Sequence, residues 1–365
     1  MKVLITGANG FIGRNLRLLI DYPGGALQVL SCDVRTTAEE LRAYSAQCDF
    51  VVHLAGVNRP KDEREFQRGN ADFTETLVEA LERAGNLAPV LMTSSIQATL
   101  DNPYGRSKLA AETCLEAHAR RTGAPALIYR LPNVFGKGCR PNYNSVVATF
   151  CADVARDLPI TIDNPETALR LVYIDDVVAE ILRAIDGNGR GAVEPVAQVT
   201  LGRLAEMLRG FRESRSTLEV PELSDPFTKK LYATYLSYLP EAQFAYPLAS
   251  HKDARGAFTE FLRTPERGQM SVNLSHPGVI KGNHFHHTKN EKFLVVAGRG
   301  VVRFRKPDEA RVIEIAVCAE ELKVVDIPPG YTHNIENLGD TDMVTLMWAS
   351  ECFDPAAPDT YYLEV

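Results

Sequence analysis

Tyr104 and Lys108, in the stretch "NPYGRSKLAAE", form the first pair of side chains in this sequence that can do chemistry together. On a helix, a spacing of four residues places both side chains on one face. A phenol with a reference pKa of about 10 is a poor proton donor at neutral pH, but a neighbouring ammonium group favours the phenolate and lowers that pKa. We therefore predict that Tyr104 is a general acid, assisted by Lys108.

A glycine-rich turn, "GANGFIG", follows the first apolar stretch of the chain and opens a helical pattern. Gly7 and Gly10 permit a tight turn and the close approach of a pyrophosphate, whose charge suits a helix N-terminus, and Gly13 lets helix and strand pack closely. A glycine pattern alone is weak evidence, but a strand before it and a helix after it are the context that a dinucleotide site requires. The residues predicted to bind the cofactor here are Gly7, Asn9, Gly10, Phe11, Ile12 and Gly13.

Asp33 follows this turn by about twenty residues, at the end of the second apolar stretch. An acidic side chain in that position binds the ribose hydroxyls of NAD. Arg14 and Arg35 indicate the alternative, a 2′-phosphate and therefore NADP. An ordinary turn former is the remaining interpretation of Asp33. These residues leave the choice of cofactor open, and Asp33 and Arg35 are both predicted to contact it.

Near the other end of the chain, "GNHFHHTKNEKFLVVAGRG" and "IPPGYTHNIEN" carry a second group of chemically capable residues. His284 and His286 alternate along a predicted strand, so both project the same way into a barrel. Glu291 and His333 arrive from neighbouring strands. Three imidazoles and one carboxylate suit zinc, nickel, iron or manganese, with a position left for substrate. We predict a divalent metal here, zinc first, and place His287 beside the site or on the surface.

Two different sequence patterns predict the secondary-structure elements that position these two groups. From residue 1 to about 185, short apolar stretches alternate with amphipathic helical patterns, which predicts a parallel sheet covered on both faces. Beyond about residue 246, short alternating strands separated by turns predict an antiparallel barrel or sandwich. The predicted fold class is α/β, a Rossmann-like doubly wound parallel sheet followed by an all-β barrel. The predicted domains are residues 1–246 and 247–365.

Length and composition limit the possible functions. At 365 residues the chain is long enough for two domains, and a formal net charge of -7 argues against a general nucleic-acid binder. The 7 cysteines are scattered without a Cys-x-x-Cys pair, which suits reduced thiols better than a disulfide framework. The chain enters a strand at once, and no apolar stretch reaches membrane-spanning length. We expect a cytoplasmic protein that does not insert into membranes.

The first two-thirds of the chain resembles the extended short-chain dehydrogenase/reductases, on "TGANGFIG", "DFVVHLAG", "TSSIQAT", "YGRSK", "YRLPNVFG" and "RLVYIDDVVAEI". The resemblance implies a nicotinamide-dependent enzyme acting on a nucleotide sugar. It implies that Ser95, or Ser94, binds the substrate carbonyl, that Tyr104 donates the proton and that Lys108 holds the nicotinamide ribose. Only eight residues separate Ser95 from Tyr104, fewer than this family usually has. The further cofactor contacts implied by the resemblance are Leu54, Ala55, Pro132 and Asn133.

The two histidine-bearing stretches resemble the two motifs of the cupins, with Leu322 where the second motif usually begins with glycine. Cupins include sugar epimerases, metal-dependent oxygenases and binding modules, so the barrel alone decides no activity. An extended reductase followed by a cupin resembles a family of bifunctional capsular-polysaccharide enzymes, on stretches such as "AGVNRP" and "KGNHFHHTKNEKFLVV". That resemblance implies NADPH, with NADH possible, and a UDP-linked 4-keto-6-deoxy-N-acetylhexosamine as substrate. By the same analogy we expect a homodimer.

One ketone explains why the two sites occur together. A ketone at C4 acidifies the hydrogen on C3, and a metal in the cupin can polarise that carbonyl as a Lewis acid. Reprotonation from the opposite face inverts C3, and the same carbonyl then accepts hydride at C4. The implied product is UDP-N-acetyl-6-deoxy-L-talosamine. Candidates for the base in the cupin are Tyr331, Tyr361, Tyr362 and Lys292. The alternative is a single-function NAD(P)H-dependent ketoreductase whose cupin is a non-catalytic dimerisation or sugar-binding module.

Overall fold

The computed structural model describes residues 1–21, 26–264 and 266–365. These residues form two compact units, one made of residues 1–209 with 229–240 and the other of residues 210–228 with 241–365. The boundary after residue 246 stays a prediction about domains. The first unit ends at residue 240, and the short segment 210–228 makes its contacts mainly within the second unit.

A five-stranded sheet forms the centre of the first unit, in the order β2-β1-β3-β4-β5, with every neighbouring pair parallel. The strands are β1 Lys2–Thr6, β2 Gln28–Cys32, β3 Phe50–His53, β4 Val90–Ser95 and β5 Ala126–Leu131. The chain passes from β1 outward to β2 and then crosses back to β3, so the sheet is doubly wound. In such sheets ligands bind beyond the carboxyl ends of the strands, where the order reverses.

Helices cover this sheet on both faces. The helices among the described residues are α1 Phe11–Ile20, α2 Ala38–Gln47, α3 Arg64–Phe66, α4 Phe73–Ala84, α5 Pro103–Thr122, α6 Val146–Val154, α7 Ile174–Ile185, α8 Leu201–Thr217 and α9 Pro226–Leu236. A π-helical segment, Gln67–Asp72, joins α3 to α4, and short 3₁₀ turns span Ile96–Thr99 and Glu241–Gln243.

The side chains of β1 alternate between two buried cores. Val3 packs in one core with Leu16 of α1, and Leu4 packs in the other with Leu77 of α4. Burial on both faces explains why the strands of this sheet are nearly continuous apolar stretches. The predicted Rossmann-like doubly wound sheet is confirmed.

A smaller sheet completes the first unit. It contains β6 Asn133–Phe135, β7 Ala168–Tyr173 and β8 Ala197–Thr200 in that order. β6 and β7 are parallel, whereas β7 and β8 are antiparallel.

Two antiparallel sheets form the second unit, in the orders β16-β13-β18-β11-β10-β9 and β15-β14-β17-β12-β19. Their strands are β9 His251–Asp253, β10 Gly256–Thr264, β11 Gly268–Ser275, β12 Ile280–Phe285, β13 Glu291–Ala297, β14 Arg299–Arg305, β15 Val312–Cys318, β16 Val324–Ile327, β17 Thr332–Asn337, β18 Met343–Ala349 and β19 Tyr361–Tyr362. Phe293 of β13 meets Val302 of β14 and Ile335 of β17 in a core shared by both sheets. The predicted all-β C-terminal architecture is confirmed.

Two expectations from composition also bear on the described residues. No helix among them is long and apolar enough to cross a bilayer. All seven cysteines are described, and each carries a free thiol.

Candidate active sites

The end of β4 and the start of α5 carry the residues predicted to do reductase chemistry. β4 ends at Ser95, whose hydroxyl accepts a hydrogen bond from the amide of Gln97 (3.1 Å). Asn102 is the N-cap of α5, and its side chain accepts a hydrogen bond from the amide of Gly105 (2.7 Å). Gly105 admits no side chain, since a Cβ there would lie 2.3 Å from the carbonyl oxygen of Gln97. Tyr104, in the first turn of α5, is thereby held against the end of β4.

The side chain of Ser95 acts on Tyr104 at this corner. Burial raises the pKa of the Tyr104 phenol, and Ser95 acts in the opposite direction. Lys108 donates from Nζ to the carbonyl oxygen of Thr93 (2.9 Å). Burial lowers the pKa of Lys108 to about 8, while the carboxylate of Glu112 acts to raise it. The expectation that Lys108 lowers the pKa of Tyr104 is wrong for the chain by itself, because burial of the phenol dominates.

The two serines named as alternatives have different surroundings. Ser94 donates a hydrogen bond to the buried carboxylate of Glu112, which also accepts from Nε of Arg130 (3.0 Å). Of the two serines, Ser95 is the one that acts on Tyr104, because its side chain lowers the pKa of that phenol. Ser95 is therefore the serine that is near Tyr104, whereas the hydroxyl of Ser94 is hydrogen-bonded to Glu112.

The glycine turn between β1 and α1 has the backbone conformation that a pyrophosphate site requires. Gly7 has a left-handed φ of 68°, and a Cβ on it would lie 2.8 Å from the amide nitrogen of Ala55. Gly10 is the N-cap of α1, and its amide donates to the carbonyl oxygen of Gly7 (2.9 Å). A Cβ on Gly13 would lie 2.4 Å from the same oxygen, so only glycine lets α1 approach this closely.

Asp33 lies just after β2 and is held by two neighbours. Its carboxylate accepts hydrogen bonds from the amide of Arg35 (2.8 Å) and from the side chain of Asn9, and the bond from Arg35 contributes most to lowering the pKa of Asp33. The guanidinium of Arg35 lies 3.4 Å from the same carboxylate and is 85% exposed. Arg14 instead donates to the carbonyl oxygen of Gly138 (3.1 Å). Asp33 and Arg35 thus lie side by side, and Arg14 is directed elsewhere.

The remaining residues predicted to contact the cofactor follow β1, β3 and β5. Three of them pack against the core of the first unit: Phe11, Ile12 and Leu54. The amide of Ala55 donates to the hydroxyl of Thr6 (3.2 Å). Pro132 lines a pocket of about 420 Å³ beyond the end of β5, and Asn133 begins β6 with its side chain exposed. These positions gather at the carboxyl edge of the sheet, where ligands bind in folds of this type.

A second group of buried polar side chains lies inside the second unit. His284 is on β12, His286 directly follows that strand, Glu291 begins β13 and His333 is on β17. One ligand atom from each lies within 4.8 Å of all the others. Nε2 of His286 and Nε2 of His333 lie 3.4 and 3.3 Å from Oε2 of Glu291. Burial lowers the pKa of His284 to about 4, which keeps it in the neutral form that binds metals.

Several atoms of this cluster have no hydrogen-bond partner among the described residues: Nε2 of His286, both ring nitrogens of His333 and Oε2 of Glu291. A buried polar atom without a partner costs about 1–3 kcal/mol, so such atoms are uncommon in folded proteins. Imidazole nitrogens and a carboxylate that converge in this way fit a divalent cation. The residues present therefore fit the predicted metal. His287 is exposed and lies outside the cluster.

Asp359, close to the C-terminus, fixes one side of this cluster. Its carbonyl oxygen lies 2.6 Å from Nδ1 of His286. Since a carbonyl oxygen can only accept, Nδ1 carries the proton and Nε2 is left with its lone pair. The carboxylate of Asp359 accepts hydrogen bonds from the amides of His287, Thr288 and Lys289 (3.0, 2.9 and 2.9 Å). One residue thus holds both the ligand ring and the loop that follows it.

A cavity of about 540 Å³ opens beside the cluster. Its lining includes the ligands His284, Glu291 and His333 and, in addition, Lys281. The candidate bases predicted from the sequence are not among the described residues that line it: Tyr331, Tyr361, Tyr362 and Lys292. Lys292 instead forms an exposed ion pair with Asp326. The cavity gives a substrate access to the cluster from the side on which Lys281 lies.

Comparison with known families and proteins adds to this geometry. Residues 3–196, more than half of the chain, match the NAD dependent epimerase/dehydratase family. The chain belongs to the NAD dependent epimerase/dehydratase family. Residues 251–361 match a second model, the polysaccharide biosynthesis C-terminal domain. The predicted nicotinamide cofactor agrees with the family, and the metal in the second unit stays a prediction.

A curated relative and a solved structure resemble this chain over its full length. A UDP-2-acetamido-2,6-beta-L-arabino-hexul-4-ose reductase from Pseudomonas aeruginosa is 47% identical, covering 100% of this chain and 99% of the relative. The crystal structure of the capsular polysaccharide assembling protein CapF from Staphylococcus aureus is 52% identical, with a TM-score of 0.94 and 100% of both chains covered. The predicted resemblance to two-domain capsular-polysaccharide enzymes is confirmed.

More distant structures match only part of this chain. The UDP-glucuronic acid 4-epimerase from Bacillus cereus is 18% identical, with a TM-score of 0.55 over 65% of this chain and 98% of that chain. At this level of identity the likeness shows the fold alone.

A polar residue that the sequence did not predict as functional lies beside the Tyr104 site. Asn70, on the π-helical segment, accepts from the amide of Val57 (2.9 Å) and donates to the hydroxyl of Ser107 (2.9 Å). It thereby joins the loop after β3 to the turn of α5 that carries Lys108. No local pattern in the sequence marks Asn70, because its partners are distant along the chain.

Proposed function

We propose that this chain is a bifunctional enzyme acting on a UDP-linked sugar with a ketone at C4. The second unit epimerises C3 of a UDP-2-acetamido-2,6-dideoxy-4-hexulose. The first unit then reduces the C4 ketone with NADPH to give UDP-N-acetyl-6-deoxy-L-talosamine, a precursor of UDP-N-acetyl-L-fucosamine in capsular polysaccharide or O-antigen synthesis. One observation carries the proposal: each unit encloses its own buried group of reactive side chains. The name of the P. aeruginosa relative supports the substrate class.

In the first unit, Tyr104 donates its proton to the C4 oxygen of the substrate. Burial raises the pKa of Tyr104 and keeps the phenol protonated before the reaction, so donation of its proton requires that the resulting phenolate be stabilised. Ser95, whose side chain acts on that phenol, holds the same oxygen with its hydroxyl. A reduced nicotinamide supplies the hydride when it is bound. The phenolate that remains on Tyr104 is stabilised by the ammonium of Lys108, whose pKa of about 8 leaves it mostly charged at neutral pH.

In the second unit, the hydrogen on C3 is acidic because the charge left by its departure spreads onto the C4 oxygen. The residues that would hold a divalent cation, zinc first, are His284, His286, Glu291 and His333. A cation held there would polarise the carbonyl as a Lewis acid. Asp359 keeps Nε2 of His286 unprotonated and turned toward the cluster. Reprotonation of C3 from the opposite face inverts the centre.

The same chemistry fixes the order of the two reactions. Once hydride has reached C4, the ketone is an alcohol, and the hydrogen on C3 is no longer acidic enough for a side-chain base. A sugar reduced before epimerisation would therefore be a dead end for the second unit. Epimerisation comes first and reduction second.

We propose NADPH as the preferred reduced cofactor, with NADH as the weaker one. The family resemblance supports this choice, and so does the guanidinium of Arg35, which is 85% exposed where a 2′-phosphate can reach it. Asp33 favours the contrary choice, because its carboxylate suits free ribose hydroxyls. The carboxylate is already bonded to Asn9 and Arg35, which reduces its demand for further partners.

The configuration of the product tests the proposed function. Enzyme, UDP-2-acetamido-2,6-dideoxy-4-hexulose and NADPH are incubated together, and the product is analysed by NMR for its configuration at C3 and C4. We expect inversion at C3 and an alcohol at C4. Reduction with C3 retained would contradict the epimerase half and leave only the reductase.

A second candidate function has one observation in its favour. The name of the P. aeruginosa relative describes a reductase only. In this alternative the protein is a single-function NAD(P)H-dependent ketoreductase, and the second unit is a non-catalytic module that dimerises or binds sugar. Such a protein has no reason to exchange the hydrogen on C3 with solvent when no nicotinamide is present, so exchange separates the two candidates.

We further propose that the protein is a cytoplasmic homodimer that binds neither nucleic acid nor membranes. Exposed apolar side chains on β15 and on β16, Ile313 and Val324, support self-association through the edges of the second unit. Sedimentation equilibrium tests the dimer: a mass of one chain at micromolar concentration would contradict it.

A further inference from the structure

β12 approaches the cluster of four predicted metal ligands through an irregularity in its backbone. Gly282 and Asn283 both have left-handed φ angles, 104° and 58°. The pairing of β12 with β17 shifts between Gly282 and His284. A bulge of this kind adds one residue to one strand, and bulges recur next to active sites, where they redirect a side chain.

The bulge decides which way Lys281 faces. In a regular strand, residues three apart point to opposite faces of the sheet. Here Lys281 lies opposite Ile335, and His284 lies opposite His333. Residues two apart on β17 share a face, so the extra residue in β12 puts Lys281 on the same inner face as His284. All four of these side chains line the 540 Å³ cavity.

The ammonium of Lys281 is fixed by neutral acceptors. Nζ donates to Oδ1 of Asn273 (2.8 Å) and to the carbonyl oxygen of Leu274 (2.8 Å). Asn273 is buried and lines the same cavity. An ammonium has three N–H donors, so two bonds position the group and leave one donor for a ligand in the cavity.

The charge of Lys281 is not neutralised by a bonded carboxylate. Among the residues that the structure describes, Lys281 forms no ion pair. Asp253, the acidic group that influences it most, is paired with Arg255 (2.7 Å). Burial lowers the pKa of Lys281, as expected for a cation held away from water. A positive charge that is hydrogen-bonded to no carboxylate therefore lines the cavity, which Asp253 and Arg255 also line.

We propose that Lys281 is a catalytic residue of the second unit, whose ammonium donates a hydrogen bond to the C4 oxygen of the keto sugar as that oxygen gains negative charge. This inference rests on the proposed C3 epimerisation. A base takes the proton from C3 as the C3–H bond breaks, the electron pair of that bond spreads onto the C4 oxygen, and C3 later regains a proton that has exchanged with solvent. No proton is transferred at Lys281. A donor already fixed toward the place where charge develops lowers the barrier without reorganisation. The alternative role for Lys281 is a diphosphate clamp, in which its ammonium binds the diphosphate of the UDP-linked substrate. That role would affect substrate binding alone.

Exchange of the C3 hydrogen in D2O tests this role. Wild type, Lys281→Met, Lys281→Gln and Lys281→Arg are loaded with zinc and given the UDP-linked 4-keto sugar without nicotinamide, and deuterium at C3 is followed by NMR. Lys323→Met is the matched control, because Lys323 is partly exposed and paired with Glu321 (3.0 Å). We expect kcat for exchange to fall about 100-fold in the Met and Gln variants, with KM changed less than about threefold. The Arg variant should recover part of the loss, and Lys323→Met should behave as wild type.

Zinc content and reduction of the already epimerised ketone by NADPH report the folding of each variant and should be unchanged. Exchange by the Met and Gln variants within about threefold of wild type would overturn the role of Lys281. A rise in KM with kcat unchanged would also overturn it, in favour of the diphosphate clamp. Absence of exchange in wild type would overturn the proposed epimerase function and this inference together.

Discussion

The two buried groups of reactive side chains differ in how the fold satisfies their polar atoms. In the first unit, the ammonium of Lys108 is bonded to the carbonyl oxygen of Thr93, and the hydroxyl of Ser95 accepts from the amide of Gln97. In the second unit, ring nitrogens of His286 and His333 have no hydrogen-bond partner among the described residues. The first group is arranged by protein hydrogen bonds before any ligand arrives, whereas the second requires a ligand to complete it. The two units can therefore be disabled separately.

Tyr104→Phe should produce the largest effect and the clearest separation of the two units. The ring packs as before, but the proton donor is gone, so NADPH oxidation should fall by about 1,000-fold or more. Exchange at C3 should stay within twofold of wild type. Cofactor oxidation is followed by absorbance and exchange by NMR. Tyr44→Phe is the matched control, since Tyr44 packs on the core of the same unit. Turnover of NADPH by Tyr104→Phe near the wild-type rate would show that another group is the acid.

His333→Ala should disable the second unit and leave the first unit active. It removes a ligand that lies on a different strand from His284, while the apolar core of the second unit remains. We expect zinc affinity and C3 exchange to fall by more than about 100-fold, with reduction of the already epimerised ketone preserved. Zinc binding is measured by competition with a chromophoric chelator. His276→Ala is the control, because His276 pairs at the surface with Asp342. Lost zinc with undiminished exchange would leave the metal a structural role only.

Asp359→Ala should weaken the positioning of the predicted metal ligands in the second unit without removing a ligand. The carboxylate holds the loop at His287–Lys289, and the adjacent carbonyl orients His286. Zinc affinity should weaken by about 10- to 100-fold, and added zinc should restore exchange. Asp354→Ala, which removes a carboxylate bonded to the amide of Ala356, should change neither. Unaltered zinc affinity in Asp359→Ala would mean that the ligand ring holds its position unaided.

The smallest predicted effect concerns the cofactor of the first unit. Arg35→Ala should lower kcat/KM for NADPH by about fivefold, because an exposed charge pair contributes at most about 1 kcal/mol. The value for NADH should not change. Arg14→Ala is the matched control, since that guanidinium is bonded to the carbonyl oxygen of Gly138. A wild-type preference for NADH would mean that Asp33 decides the cofactor.

Local patterns in the sequence were sufficient to predict the secondary-structure elements and the four residues that cluster in the second unit. Burial on both faces of β1 and the alternation along β12 are periodic signals, so the two architectures could be predicted. His284, His286 and Glu291 lie close together along the chain, and His333 was found because a second motif carries it.

Features that depend on register or on distant partners could not be predicted in the same way. Simple alternation places Lys281 on the face opposite His284, and only the bulge at Gly282 reverses it. Ser94 and Ser95 are equivalent in sequence, and the buried carboxylate of Glu112 distinguishes them. The sign of the pKa shift of Tyr104 depends on burial, which a spacing of four residues does not reveal.

Deuterium incorporation at C3 without nicotinamide tests the central claim, that two separate sites act on one ketone. Zinc-loaded wild type, Tyr104→Phe and His333→Ala are each incubated in D2O with the UDP-linked 4-keto sugar, and the C3 signal is followed by NMR. We expect equal deuterium incorporation by wild type and Tyr104→Phe and almost none by His333→Ala. No incorporation by wild type, or incorporation that is lost in Tyr104→Phe and kept in His333→Ala, would contradict it.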